Sequence, residues 1–116
     1  MEATLDRQQF AALAKKFPGA TVVAAGDAID VRVANKTFVA LPANNANCAI
    51  FRLTLEQQEM LIAAEPEIFR RLDQYLGTKG WTEARLERLD DNTAISALRL
   101  AWANLAPKRM IAQFEL

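Results

Sequence analysis

The sequence contains no histidine, one cysteine (Cys48), one tyrosine, four glycines and four prolines among 116 residues. The missing histidine removes the commonest zinc ligand, the usual general base and the one side chain whose ordinary pKa lies near neutrality. A single cysteine excludes an intramolecular disulfide, and a thiol nucleophile here has no histidine to activate it. The glycines stand apart at positions 19, 26, 77 and 80, so there is no Gly-rich loop to cradle a phosphate. No apolar run approaches the roughly 20 residues of a membrane-spanning helix. The opening MEATLDRQQF is acidic and amphipathic, unlike a secretory signal. Together these gaps predict a cytoplasmic, non-enzymatic protein with no membrane segment, no cofactor and no metal.

What is present describes a globular chain. Hydrophobic residues make up 52% and charged residues 24% of the sequence, a balance that supports a packed core. A chain of this length buries roughly two-thirds of its unfolded surface, enough for one domain without staples. The 14 Lys and Arg residues equal the 14 Asp and Glu residues. That neutrality argues against a strong nonspecific nucleic-acid binder but leaves room for a local basic face.

Periodicity divides the chain. Phe10, Leu13, Ala14 and Phe17 recur at helical spacing, with Thr4 as the expected N-cap and Pro18-Gly19 as the stop. The period then falls to two. Ile29, Val31 and Val33 alternate with Asp30 and Arg32, and TFVAL follows a short turn holding Asn35 and Lys36, which predicts a hairpin. ATVVAA is a further candidate strand, PANNAN a loop and CAIFRL the next strand. Thr54 and Gln57 stand at capping-box spacing and open a second helix, which Pro66 ends or turns. Gly77 and Gly80 bracket an irregular connector before GWTEARLERL, read as a last strand. Asp90, Asp91 and Asn92 offer N-caps to a closing helix whose expected apolar stripe is Ile95, Leu98, Trp102 and Leu105. The predicted class is α+β, an antiparallel sheet with helices packed on one face.

The acidic pairs Glu65/Glu67 and Asp90/Asp91 lie beside helix ends and read as caps or solvated charge. Cys48 reads as a small buried hydrophobe and Trp102 as core. Trp81, next to Gly80 at the edge of a candidate strand, either packs against the closing helix or stands partly exposed, and the core position is the favoured one. Strand parity places Arg32, Arg52 and Arg85 on the outward face of three strands, with Lys36 beside them at the hairpin tip. Asp30 and Glu83 share that parity and partly neutralise it. In AWANLAPKRM, Pro107 stops or kinks the closing helix or starts a short following one, with Met110, Ile111 and Phe114 turned toward the core. Lys108 and Arg109 then either return to the last carbonyls of the closing helix or meet an anionic partner. The candidate nucleic-acid contacts are therefore Arg32, Lys36, Arg52, Arg85, Lys108 and Arg109.

Several stretches taken in order resemble one family. FRLTLEQQEMLIAAEPEIF is similar to the strand-to-helix segment of the small bacterial MmcQ/YjbR proteins. KGWTEARLERLD resembles their Gly-Trp-Thr strand, and LRLAWANLAPKRM their closing helix. VRVANKTFVAL resembles their hairpin, with Asn35 where glycine is common before the lysine. The resemblance spans nearly the whole chain and implies a frataxin/CyaY-like fold. It also implies the family's usual description, a DNA-binding protein with a double-wing motif. No DNA-contact residue transfers position by position. Family members often carry a histidine-containing stretch before the hairpin, and TVVAAGDAIDV has none. A frataxin-like iron site is not expected, because Glu2 and Asp6 are the only acids near the first helix.

The expected function is thus DNA binding through the phosphate backbone by hairpin and sheet-face Arg and Lys, from a monomer or weak dimer. The alternative is a protein-interaction or small-ligand module that uses the open sheet face or a groove beside Trp81.

Overall fold

A computed structural model describes residues 5–43, 47–73 and 75–115. Helix α1 (Arg7–Lys15) leads into strands β1 (Thr21–Ala25), β2 (Ala28–Val33), β3 (Lys36–Leu41) and β4 (Cys48–Arg52). Helix α2 (Leu55–Ala64), strands β5 (Phe69–Arg71) and β6 (Trp81–Arg85), and helices α3 (Asp91–Ala103) and α4 (Lys108–Glu115) complete the chain. The six strands form one antiparallel sheet in the order β1-β2-β3-β4-β6-β5. Among the described residues no helix is long and apolar enough to cross a membrane.

Local chemistry sets the helix starts. The Thr54–Gln57 capping box forms as its spacing predicts: Gln57 N donates to Thr54 Oγ1 at 3.1 Å, and Thr54 N donates to Gln57 Oε1 at 3.0 Å. Asp90 caps α3, accepting from Thr93 N at 2.8 Å, and this bond holds its carboxyl below the usual carboxylate pKa. At α1 the expected cap, Thr4, lies outside the described residues, and Asp6 does the work. Asp6 accepts from Gln9 N at 2.8 Å, and Gln9 Oε1 accepts from Asp6 N at 3.0 Å. A second capping box, offset two residues from Thr4, was thus present in the sequence.

One face of the sheet carries the core. Val31, Val33, Val39, Leu41, Ala49, Phe51, Phe69 and Ala84 are buried in a single cluster with Phe10, Phe17, Leu98 and Trp102 of the helical layer and its flanks. Leu13 and Leu105 pack partly buried against it. The β2–β3 register shifts between Val31 and Arg32, pairing Val31 with Val39 and Arg32 with Thr37. Phe38 is the additional residue of this bulge, and both Phe38 and Val39 are fully buried. The hairpin turn places Ala34 and Asn35 at positive φ, 52° and 65°. Asparagine tolerates that left-handed region better than most residues. Asn35 therefore fills a position suited to the glycine of the resembled hairpin.

The second half departs most from expectation. GWTEARLERL is strand only to Arg85; Leu86–Arg88 forms a 3₁₀ turn. Strand β5 was not anticipated, since its three residues are too few to show alternation. Helix α3 buries Ala94, Ala97, Leu98, Ala101 and Trp102, whereas Ile95 stands 41% exposed. The true stripe follows i, i+3, i+4, i+7, i+8 through three alanines. Counting only large apolar residues pointed one residue to the side. Helix α3 ends at Ala103, before Pro107, with Asn104 as its C-cap.

Candidate nucleic-acid interface

The helices leave the opposite sheet face open. Register places Val23, Asp30, Ala40, Ile50, Glu83 and Arg70 in one cross-strand row on that face. Arg32, Arg52 and Trp81 lie two residues along their strands from this row on one side, and Arg85 lies two residues along on the other. At about 3.3 Å per residue, Arg52 and Arg85 are roughly 13 Å apart along the β4–β6 pair. Arg32 stands two strands from Arg52, about 10 Å across the sheet. The expected grouping of Arg32, Arg52 and Arg85 with Asp30 and Glu83 on one face is what the register gives.

The acids on this face are already engaged. Arg32 Nη2 lies 3.6 Å from Asp30 Oδ2, and Arg70 Nη2 lies 3.0 Å from Glu83 Oε2. Arg70 was missed in the sequence together with its short strand. Among the described residues Arg52 and Arg85 form no ion pair. The Arg52 guanidinium instead rests over the Trp81 ring, 5.8 Å from its centroid. Trp81 therefore sits half-buried on the open face rather than against the closing helix. An exposed cation–π contact contributes about 0.5–1 kcal/mol, and exposed ion pairs about 0–1 kcal/mol. Either is weak enough for an incoming anion to rearrange. The Arg52 backbone is anchored, its carbonyl accepting from Asn104 Nδ2 at 3.3 Å.

Lys36, Lys108 and Arg109 do not join this group. Lys36 pairs with the buried Val33, so its side chain starts from the helix-covered side rather than beside Arg32. Lys108 and Arg109 are exposed in the first turn of α4, whose helix begins as Ile111 N donates to the Pro107 carbonyl at 3.1 Å. Met110 and Ile111 pack on the helix-side core. The anticipated return of these two cations to the α3 carbonyls is not made. Trp102 O accepts instead from Leu105 N at 3.0 Å and Ala106 N at 2.9 Å, and Leu100 O from Asn104 N at 3.2 Å. At the start of α4 both charges oppose the helix dipole.

The segment joining β5 to β6 is held closely. Gln58, fully buried, donates through Nε2 to the Gly77 carbonyl at 3.1 Å and the Trp81 carbonyl at 3.0 Å, while its Oε1 accepts from Arg71 Nε at 3.3 Å. Thr82 Oγ1, also buried, donates to the Gly80 carbonyl at 2.8 Å. A Cβ on Gly77 would stand 1.9 Å from Leu72 O, and one on Gly80 2.0 Å from Leu53 O. Close approach to backbone explains both glycines.

Cys48 lies beside Arg85 in the register and is only 3% exposed. Burial, then the Glu83 carboxylate, pushes its thiol up to about 11, against the opposing pull of Arg7 and Arg70. Such a thiol is a poor nucleophile at neutral pH, consistent with a packing role. Arg7, which had carried no assignment, donates to the carbonyls of Pro42 at 3.0 Å, Leu41 at 3.4 Å and Asp27. It fastens α1 to the strand ends and is not available on the open face.

No family model and no curated protein matches the sequence. Among solved structures, the chain is similar to the Deinococcus radiodurans protein DR2400, whose domain is DUF419. The identity is 12%, the TM-score 0.74, and the match covers 100% of this chain and 93% of that one. At that identity the likeness establishes a shared α+β fold, extending over essentially the whole length of both chains.

Proposed function

We propose that this chain is a cytoplasmic, non-enzymatic DNA-binding module of the MmcQ/YjbR type, holding DNA by its phosphates on the open sheet face. The observation that carries this reading is the charge on that face. Arg32, Arg52, Arg70 and Arg85 stand there with Asp30 and Glu83, and each acid has an arginine beside it. Arg52 and Arg85 remain for an anion. A neutral chain thus gathers a local cationic surface, the footprint of backbone contact rather than base readout. The sequence resemblance supports the same family as the neighbour's domain, since DUF419 is the YjbR/MmcQ-like family.

The alternative module would use an apolar patch or cavity. The exposed large hydrophobic residues are dispersed over β1, α2, the Tyr75–Lys79 turn, α3 and α4. A cleft of about 470 Å³ is lined by Leu5 and Leu86 together with Asp6, Arg7, Gln8, Asn47 and Glu87, away from Trp81. Titrating short duplexes at two salt concentrations, beside a pulldown for protein partners, decides between the readings. DNA binding is expected at no tighter than about micromolar affinity at physiological salt, within the nonspecific range. No binding at low salt together with a recovered protein partner favours the alternative.

A further inference from the structure

We infer that segment 75–81 is a preorganised stacking platform for unpaired bases, so that the nucleic acid held by this protein is single-stranded. The inference rests on the nucleic-acid reading above and narrows it.

Two aromatic rings mark the ends of this segment, and each carries a cation. Tyr75 is 72% exposed, and Lys79 Nζ lies 5.4 Å from its ring centroid. Trp81 is half-buried on the open face beneath Arg52. The sequence has one tyrosine and two tryptophans. The other tryptophan, Trp102, is fully buried with its indole N–H bound to the Pro18 carbonyl at 2.8 Å. The chain thus places its remaining tryptophan and its sole tyrosine in one short segment.

That segment is not a loose loop. The 3₁₀ turn Tyr75–Lys79 carries Tyr75, and Thr78 Oγ1 donates to the Tyr75 carbonyl at 2.6 Å. Buried Gln58 clamps the carbonyls of Gly77 and Trp81, and Leu72 N donates to the same Trp81 carbonyl at 3.1 Å. Two glycines lie so close to neighbouring backbone that no side chain fits. Buried Gln58 thus fixes the backbone of the segment that carries both rings. A held backbone leaves only side-chain torsions to be ordered when a ligand stacks, which is how preorganisation raises affinity.

The chemistry selects the ligand. Every base offers a flat π-face, and base–aromatic stacking outweighs the exposed cation–π contact it displaces. Lys79 and Arg52, released from the rings, then reach phosphates next to the stacked bases. Two aromatic rings in one short segment, each with a cation beside it, suit a flexible strand with splayed bases. In a duplex the bases are already stacked on one another, which denies them to the rings. DNA and RNA single strands share this chemistry.

The test is a titration of the intact chain with dT and rU oligonucleotides and with a duplex of equal phosphate number, at one low salt concentration, read by tryptophan fluorescence and by anisotropy. We expect the single strands to bind at least about tenfold more tightly than the duplex, with indole quenching. Tyr75→Ala, at an exposed position that leaves the core intact, should weaken single-strand binding about five- to hundredfold, the range for one stacked base. It should leave duplex binding within twofold. Preference for dT over rU, or the reverse, identifies the source and supports the platform either way. Duplex binding equal to or tighter than single-strand binding, or a Tyr75→Ala variant with unchanged single-strand affinity, overturns the platform while the phosphate-binding reading stands. Absence of binding to any of the three overturns both.

Discussion

Trp102 shows how much one side chain carries. It is fully buried, lies 5.7 Å from Phe17 and 5.1 Å from Phe114 between ring centroids, and binds the Pro18 carbonyl through its indole N–H. Trp102→Ala removes that packing and leaves a carbonyl without its donor, so a loss of about 3–5 kcal/mol is expected in urea melts. A loss below about 1 kcal/mol contradicts the core assignment. Cys48 gives a second residue-scale test. Its folded pKa of about 11 lies above the ordinary 9.0, so the folded state holds the thiol proton more tightly. The stability this contributes is complete below pH 9 and is lost as pH rises toward 11, at up to about 1.4 kcal/mol per pH unit. Wild type should therefore lose more stability over that interval than Cys48→Ala, and iodoacetamide should label folded Cys48 slowly until denaturant is added. Equal pH profiles and fast labelling would contradict the burial. Both residues were legible in the sequence, Trp102 from helical periodicity and Cys48 from its residue type at a strand start. Trp81 was not. Its place depends on pairing with Arg52 across β4 and β6, a long-range register that no local pattern encodes.

At the scale of elements, legibility followed length and local chemistry. Helix α2 was readable because its capping box lies within four consecutive residues, and the β2–β3 hairpin because its alternation flanks a turn. Strand β5 and the two 3₁₀ turns were not, since each depends on neighbours brought in from elsewhere. The end of α3 is the sharpest contrast. A proline followed by two cations reads as a helix stop with charge compensation, yet α3 closes earlier on Asn104. That residue ties back to α2 by donating from Nδ2 to Gln57 Oε1 at 2.9 Å. Lys108 and Arg109 then open α4, where positive charge meets the positive end of the dipole. This reverses the sign of the expected effect. Lys108→Gln with Arg109→Gln should raise thermal stability slightly, by roughly 0.3–1 kcal/mol for each relieved charge at most. Lying on the helix-covered side, the pair should leave DNA affinity within about twofold. A fall in stability would mean the two side chains make a supporting contact, and a flattened salt dependence of binding would make them part of the interface.

The whole molecule combines what neither residues nor elements show alone: a sheet with one face committed to packing and the other left open. Strand parity read from the sequence was enough to gather Arg32, Arg52 and Arg85 on that open face. It could not reveal Arg70, whose strand joins only through β6, nor remove Lys36, whose side follows from its pairing with Val33. Neutral net charge hides the result, because acids such as Glu56, Glu59, Glu65 and Glu67 lie on or beside α2, outside the open face. The central claim is that phosphates are held by this face, with Arg52 and Arg85 as the arginines not already engaged by an acid. If about four phosphates meet Arg32, Arg52, Arg70 and Arg85, log K for duplex DNA should fall against log salt with a slope near −3.6, taking roughly 0.9 per phosphate. The most direct measurement is that slope for wild type and for Arg52→Gln with Arg85→Gln, both confirmed folded by melting. The account predicts a variant slope flattened to about −1.8, with binding weakened similarly for every duplex sequence tested. An unchanged slope, or no binding of wild type to either duplex or single strands at low salt, would contradict it.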